Sequence, residues 1–287
     1  MDNNIKKDII FVSLFLLILA NVFVWQFILS LDGNLKVVFF DIGEGDSAFV
    51  ETPQGHQILI DGGPGQRVLT KLGHAMPFWD KTIDLVILSH PDYDHLSGLV
   101  SVLERYQVKN ILWNGGLVNN TVFTNWQKDL AIEKAQVFTA QSGQVIKAGQ
   151  ARFLVLYPLA DLAGQSVEKE SNNSSVVARL SYGSSDFLFT GDLPTKNEIE
   201  LLASNQDVAS EVLKVAHHGS KYSSSPEFLA VVNPQLAIIS CGANNTYGHP
   251  NQEVLNNLQN FAINTLRTDQ KGDITITSDG SNFYYKQ

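Results

Sequence analysis

The chain has 287 residues, 44% of them hydrophobic, which is enough to bury the core of a sizeable globular domain. Its 20 Lys and Arg stand against 29 Asp and Glu, and the formal net charge of −9 excludes a broad basic surface of the kind that drives sequence-independent nucleic-acid binding. The single cysteine, Cys241, excludes an internal disulfide.

Ile9 to Leu31 contains no charged residue over 23 positions. At about 1.5 Å per residue this crosses a hydrocarbon layer of roughly 30 Å, and no small-x-small cleavage site precedes Asp32. Residues 1–31 therefore read as a short tail and an uncleaved transmembrane anchor, and residues 32–287 as one domain. Lys6 and Lys7 precede the span and no Lys or Arg follows until Lys36, which places the tail in the cytoplasm and the domain outside the cytoplasm, as a single-pass membrane protein. Those lysines balance Asp2 and Asp8, so the net −9 belongs to the domain.

Apolar runs of strand length recur at Leu35–Phe40, Gln57–Ile60, Ile83–Leu88, Val176–Leu180, Phe187–Phe189, Val212–Val215 and Leu236–Ile239. Helical patterns fill the gaps at Leu96–Tyr106, Val122–Ala135, Thr195–Ala203, Pro226–Val232 and Gln252–Phe261, with prolines at or near several first turns. Strands followed by helices in both halves suggest an α/β fold of two sheets sandwiched between helices. Asn114–Gln150 interrupts the scheme and reads as a polar surface excursion. His56 reads as a turn residue and His74 as a solvated loop histidine, neither with a function.

Most strands run directly into polar residues of catalytic type. Phe40 leads to Asp41–Asp46, Ile60 to Asp61-Gly62-Gly63, Leu88 to His90–His95, Phe189 to Thr190-Gly191-Asp192, and Val215 to Ala216-His217-His218-Gly219. A sheet arranged in this way lines one edge with Asp, His and Gly, where ligands of layered α/β folds sit. His90, Asp92, Asp94 and His95 fall within six positions, and such crowding is costly to desolvate without a cation. Capping of a helix near His95 by Ser89 or Asp94 is the simpler alternative, but the repetition of the pattern elsewhere favours metal ligands.

The motifs Phe40-Asp41-Ile42-Gly43-Glu44-Gly45-Asp46-Ser47, Leu59-Ile60-Asp61-Gly62-Gly63, His90-Pro91-Asp92-Tyr93-Asp94-His95, Thr190-Gly191-Asp192, Val212–Ser220 and Tyr247-Gly248-His249-Pro250 occur in order. Together they resemble the metallo-β-lactamase-fold hydrolases, and within that superfamily the carboxy-terminal hydrolase domain of the ComEC family of DNA-uptake proteins. The resemblance runs from about Asn34 to the end and implies a four-layer αββα sandwich. It implies two divalent metal ions, one held by His90 and Asp92, the other by Asp94, His95 and His217, with Asp192 bridging. The superfamily's usual second histidine is here Asp92, and Asn172-Asn173-Ser174-Ser175 stands where a further histidine is usual. Asn172 or Asn173 would be a weaker substitute, and the oxygen-richer set suits manganese as readily as zinc.

Two such ions about 3.5–4 Å apart activate a water for in-line attack on a phosphodiester. His218, with Ser220 and Lys221, would bind a non-bridging phosphate oxygen; His249 would protonate the leaving alkoxide or hold the phosphate; Asp46 and Asp61 would orient ligand histidines. The resemblance implies DNA as substrate and a role in competence, which with one span needs a separate channel protein. A lactamase fits less well, because Asp92 and Asn172 replace nitrogen ligands. Hydrolysis of another phosphoester, a nucleotide or a phosphorylated wall polymer, is the alternative activity. A non-catalytic binding module with incomplete metal sites is the alternative if Asn172–Ser175 cannot complete the first site.

Overall fold

The computed structural model describes residues 3–30 and 33–285; the expected boundary between anchor and domain, at Leu31 and Asp32, lies outside the described residues. Helix α1 (Asn3–Ser30) exposes all of Ile5–Trp25 and is long and apolar enough to cross a membrane. From Ile9 onward its apolar residues are spread around the helix rather than gathered in one stripe.

The domain then forms β1 (Leu35–Phe39), β2 (Ala48–Glu51), β3 (Gln57–Ile60), α2 (Arg67–Ala75), β4 (Thr82–Leu88), α3 (Tyr93–Leu103), β5 (Gln107–Trp113) and α4 (Thr121–Ile132). Strands β6 (Gln136–Thr139), β7 (Val145–Ala148), β8 (Ala151–Tyr157), β9 (Val177–Tyr182) and β10 (Ser185–Phe189) follow. The remainder comprises α5 (Thr195–Ala203), β11 (Val212–Lys214), α6 (Pro226–Val232), β12 (Leu236–Ile239), α7 (Gln252–Asn260), β13 (Asn264–Arg267), β14 (Ile274–Ser278) and β15 (Phe283–Tyr285). Among the described residues these make two sheets, ordered β15-β14-β1-β2-β3-β4-β5-β6 and β13-β12-β11-β10-β9-β8-β7.

Side-chain alternation with period two explains the layers. Val37, Phe39, Ile58, Ile60, Leu85 and Ile87 point between the sheets, where they meet Phe153, Phe187, Phe189 and Ile238. Their neighbours Val38, Phe40, Leu59 and Val86 point outward and pack beneath α2, α3 and α4, through Leu72, Leu99 and Trp126. In the second sheet Leu188, Leu213 and Ile239 point outward beneath α5, α6 and α7, through Leu201, Phe228 and Leu258. The result is the αββα sandwich, in which central strands such as β3 and β12 are buried on both faces and hence apolar.

Asn114–Gln150 is not a surface excursion. It supplies α4, whose Phe123 and Trp126 are buried, and β6 and β7, the edge strands of the two sheets. Edge strands pair on one side only, so β6 carries mostly exposed side chains and leaves no apolar run to read. Helix α3 begins at Tyr93, three residues before the expected start, which puts Asp94 and His95 in its first turn. His74 lies on α2 rather than in a loop.

Candidate metal centre

The carboxyl ends of parallel β3 and β4 in one sheet, and of parallel β10, β11 and β12 in the other, open on one edge of the sandwich. Asp192, just after β10, is almost fully buried and forms the hub. Its Oδ1 lies 3.2 Å from His95 Nε2, and its Oδ2 lies 3.6 Å from His218 Nε2, 3.8 Å from His217 Nε2 and 3.9 Å from His90 Nε2. Asp94 Oδ2 is 3.2 Å from His218 Nε2, and Asp92 Oδ2 is 3.5 Å from His90 Nε2. Asp92 occupies the N-cap position of α3 without capping it, so its carboxylate faces the centre instead.

One atom from each of Asp94, His95, Asp192 and His218 falls within 4.8 Å of the others, a set that could hold a metal ion. The structure thus groups His218 with Asp94 and His95, where the resemblance implied His217. The reason is local. Both histidines adopt left-handed backbone, φ 51° and 53°, and Gly219 follows at φ 83°. This tight reversal after β11 turns His218 into the interior and leaves His217 half-buried at the rim beside His90 and Asn172. Two non-glycine residues held there cost on the order of 1–3 kcal/mol each, which the surrounding packing must offset.

The histidine tautomers are set from behind. Asp61 accepts hydrogen bonds from Ser89 N and Ser89 Oγ, both 2.7 Å, and from His95 Nδ1 at 2.9 Å. Ser89 Oγ, having donated to Asp61, accepts from His90 Nδ1 at 3.0 Å. His218 Nδ1 faces Ser240 O at 3.0 Å and Asp46 Oδ1 at 3.2 Å. Each ring is thus engaged through Nδ1 and directs its Nε2 at the centre.

Those atoms test whether a cation fits. His90 Nε2, His95 Nε2 and Asp192 Oδ1 are buried without a hydrogen-bond partner. Lone pairs that converge on one point with no donor between them are what a divalent ion satisfies. The electrostatics agree. Burial alone would raise the Asp192 carboxyl, yet His95, His218 and His90 hold it well below the usual carboxylate range. Burial alone would lower His218, yet Asp192 and Asp46 drive it up to about 10. The carboxylates demand positive charge at the centre, and the residues present fit a metal there.

The remaining expected residues divide. Asn172 Nδ2 lies 3.3 Å from His217 Nδ1, whereas Asn173 is tied to Glu170 and does not reach the centre. Ser220 is buried and its N–H donates to His217 O at 2.8 Å, so it shapes the reversal. Lys221 is exposed, with Nζ 5.0 Å above the Tyr222 ring. His249 sits at the rim, its ring 5.5 Å from that of His217.

Three contributors were not assigned from the sequence. Glu44 Oε1 takes the His249 Nδ1 hydrogen bond at 2.8 Å, and its Oε2 accepts Gly242 N at 2.8 Å. Lys214, buried, pairs with Asp46 at 2.7 Å behind His218, so it is not a free cation for phosphate. Arg179 is likewise engaged, with Asp207 at 2.7 Å. Ser89 is the third. Only the Gly-Glu-Gly spacing around Glu44 offered any signal.

Residues 56–213 match the family described as Beta-lactamase superfamily domain. ComE operon protein 3 of Bacillus subtilis is 35% identical over 266 residues, covering 86% of this chain and 33% of the relative. Competence protein ComA of Neisseria gonorrhoeae is 29% identical over 244 residues, covering 84% and 32%. The chain thus spans about one third of the length of these curated relatives. Among solved structures, the metallo-β-lactamase fold protein YhfI from Bacillus subtilis matches with a TM-score of 0.58 at 13% identity, over 85% of this chain and 100% of that one, a likeness of fold. With over half of its length matched to the family and its two-sheet architecture shared with YhfI, this chain belongs to the metallo-β-lactamase superfamily.

Proposed function

We propose that this chain is a membrane-anchored, metal-dependent phosphodiesterase whose substrate is DNA. The observation that carries the proposal is the convergence of unpaired Nε2 and carboxylate oxygen atoms around Asp192. DNA is supported by the motif resemblance to the ComEC family of DNA-uptake proteins and by the likeness to Competence protein ComA. The hydrolase domain lies outside the cytoplasm in this reading, in keeping with Lys6 and Lys7 ahead of α1.

His95, His218, Asp94 and Asp192 would hold one ion; His90, Asp92, Asp192 and His217 would hold the other, with Asn172 beside His217. Divalent ions, manganese or zinc, supply a lowered pKa for attacking water and stabilise charge on the phosphoryl oxygens. The protein's own groups do the rest. Asp61, through Ser89, and Asp46, with Ser240 O, fix the rings so that no ligand must reorient during the reaction. Glu44 accepts from His249 Nδ1 and so aims Nε2 at the rim, where the ring, protonated on both nitrogens, would give its Nε2 proton to the leaving 3′ or 5′ oxygen as the P–O bond breaks and be left neutral. Lys221, exposed with its Nζ over the Tyr222 ring, would meet a flanking phosphate.

The test uses the full chain in detergent, supplied with manganese, zinc or magnesium and assayed on single-stranded DNA, bis-p-nitrophenyl phosphate and a cephalosporin. We expect phosphodiester cleavage with manganese or zinc, none of the cephalosporin, and loss of activity in Asp94→Ala and Asp192→Ala. Activity that survives both substitutions rules out the metal mechanism.

A further inference from the structure

Phe78 and Trp79 are the two most exposed aromatic side chains of the domain's first half, 81% and 68% accessible, and their rings form a T-shaped pair 4.7 Å apart. They occupy the two corners of a turn closed by Asp80 N–H donating to Pro77 O at 2.9 Å. Turn corners ordinarily carry Gly, Pro, Asn, Asp or Ser, so two large aromatics there are not explained by the turn itself. Nor is the turn loose. Asp80 Oδ1 accepts Thr82 N at 2.9 Å and Asp80 Oδ2 accepts Gln57 Nε2 at 3.0 Å, which fixes the pair to β3 and β4.

Strand register shows which end of the domain this is. Lys36 pairs with Glu51, Glu51 with Gln57, and the next residue, Ile58, with Leu85, so Lys36 and Asp84 share a level across the sheet. Gly33 and Lys81, each three residues earlier, share the level below. The chain therefore enters the domain from α1 at the end that carries Phe78 and Trp79, three strand spacings or on the order of 14 Å away. The metal centre lies at the other end of β4, seven residues long, on the order of 25 Å distant. Lys81 and Arg105 are exposed at the same end as the aromatic turn.

We propose that the Phe78–Trp79 turn seats in the headgroup region of the bilayer that α1 crosses, forming a second point of attachment that aims the metal centre away from the membrane. This rests on α1 being a membrane span and is independent of the reaction proposed above. Aromatic side chains prefer that interfacial layer, and the neighbouring Lys81 and Arg105 complement anionic headgroups there. One helix attaches the domain to the bilayer at a single point; a rigid aromatic turn beside it adds a second.

The test labels Trp79→Cys, and separately Tyr247→Cys at the metal end, with the environment-sensitive fluorophore NBD in the full chain. Cys241 is buried and its thiol is pushed up to about 12 by burial and by Asp269, so the introduced thiol is labelled selectively. In nanodiscs of phosphatidylcholine and phosphatidylglycerol, we expect the label at 79 to be blue-shifted and quenched by lipids spin-labelled near the headgroup, with the label at 247 unaffected. Phe78→Cys serves as a second site if Trp79→Cys folds poorly. Water-like emission at 78 and 79, or a blue shift that lipid quenchers do not touch, overturns the proposal; the latter would report a protein contact instead.

Discussion

At the scale of single residues, adjacent His217 and His218 have different surroundings, and their variants separate accordingly. His218 is interior, held by Asp46 and Ser240 and facing Asp94 and Asp192. Each of His218→Ala and His217→Ala should cost one of the two ions, read by metal analysis after gel filtration, but only His218→Ala, which also strips Asp46 and Asp94 of their buried partner, should lower thermal stability as well; activity should fall at least about 100-fold in His218→Ala. Lys214 behaves differently again. Its buried pair with Asp46 supports His218 without facing the centre, and Lys214→Met leaves Asp46 short of its nearest cation. We expect about 3–5 kcal/mol of destabilisation, read as a lowered urea midpoint at unchanged slope. The sequence announces His90–His95 because those residues are close in the chain and crowded beyond what a helix cap needs. The role of Glu44 is not announced beyond its flanking glycines, since its partner His249 is 205 positions away and the pairing exists only once two sheets have met.

At the scale of elements, the strands readable from the sequence are compact apolar runs such as β4, β10 and β12, and α3 to α7 are placed to within a few residues by their prolines and apolar spacing, whereas α2 is not. Edge strands β6, β7, β13 and β15 are not read, and neither are β2, β5, β8 and β14 inside the sheets, which are short or broken by polar residues such as Lys109, Asn110 and Arg152. What positions the site is the contact between α3 and the loop after β3. Gly98 N–H donates to Gly63 O and Gly62 N–H to His95 O, both at 2.8 Å, and a Cβ on Gly98 would overlap the Gly62 carbonyl. Helix propensity alone predicts that Gly98→Ala stabilises α3 by up to about 1 kcal/mol. The close approach reverses the sign, because α3 must move off the loop and carry Asp94 and His95 away from Asp61. We expect Gly98→Ala to lower both thermal stability and metal affinity, and a stabilised variant with full metal content would refute this account of the contact.

At the scale of the whole molecule, the net charge of −9 and the metal centre belong to one argument. Asp46, Asp61, Asp92, Asp94 and Asp192 are drawn to one edge by strands of both sheets, and the sandwich closes there only if their charge is compensated. Without ions, protons on buried His95 and His218 supply part of that compensation. Bound cations supply it with better geometry, because they accept the Nε2 lone pairs that otherwise have no partner. Metal should therefore stabilise the fold as well as the reaction. An ion present at about 100 times its dissociation constant adds about 2.7 kcal/mol, which for a domain of this size raises the melting temperature by roughly 5–10 °C. Melting the full chain with manganese or zinc, and again with EDTA, reads this shift directly. Asp192→Asn should melt at the same temperature in both conditions, because its hub no longer draws a cation. A wild-type melting curve indifferent to EDTA would mean that the two sheets close over their carboxylates unaided.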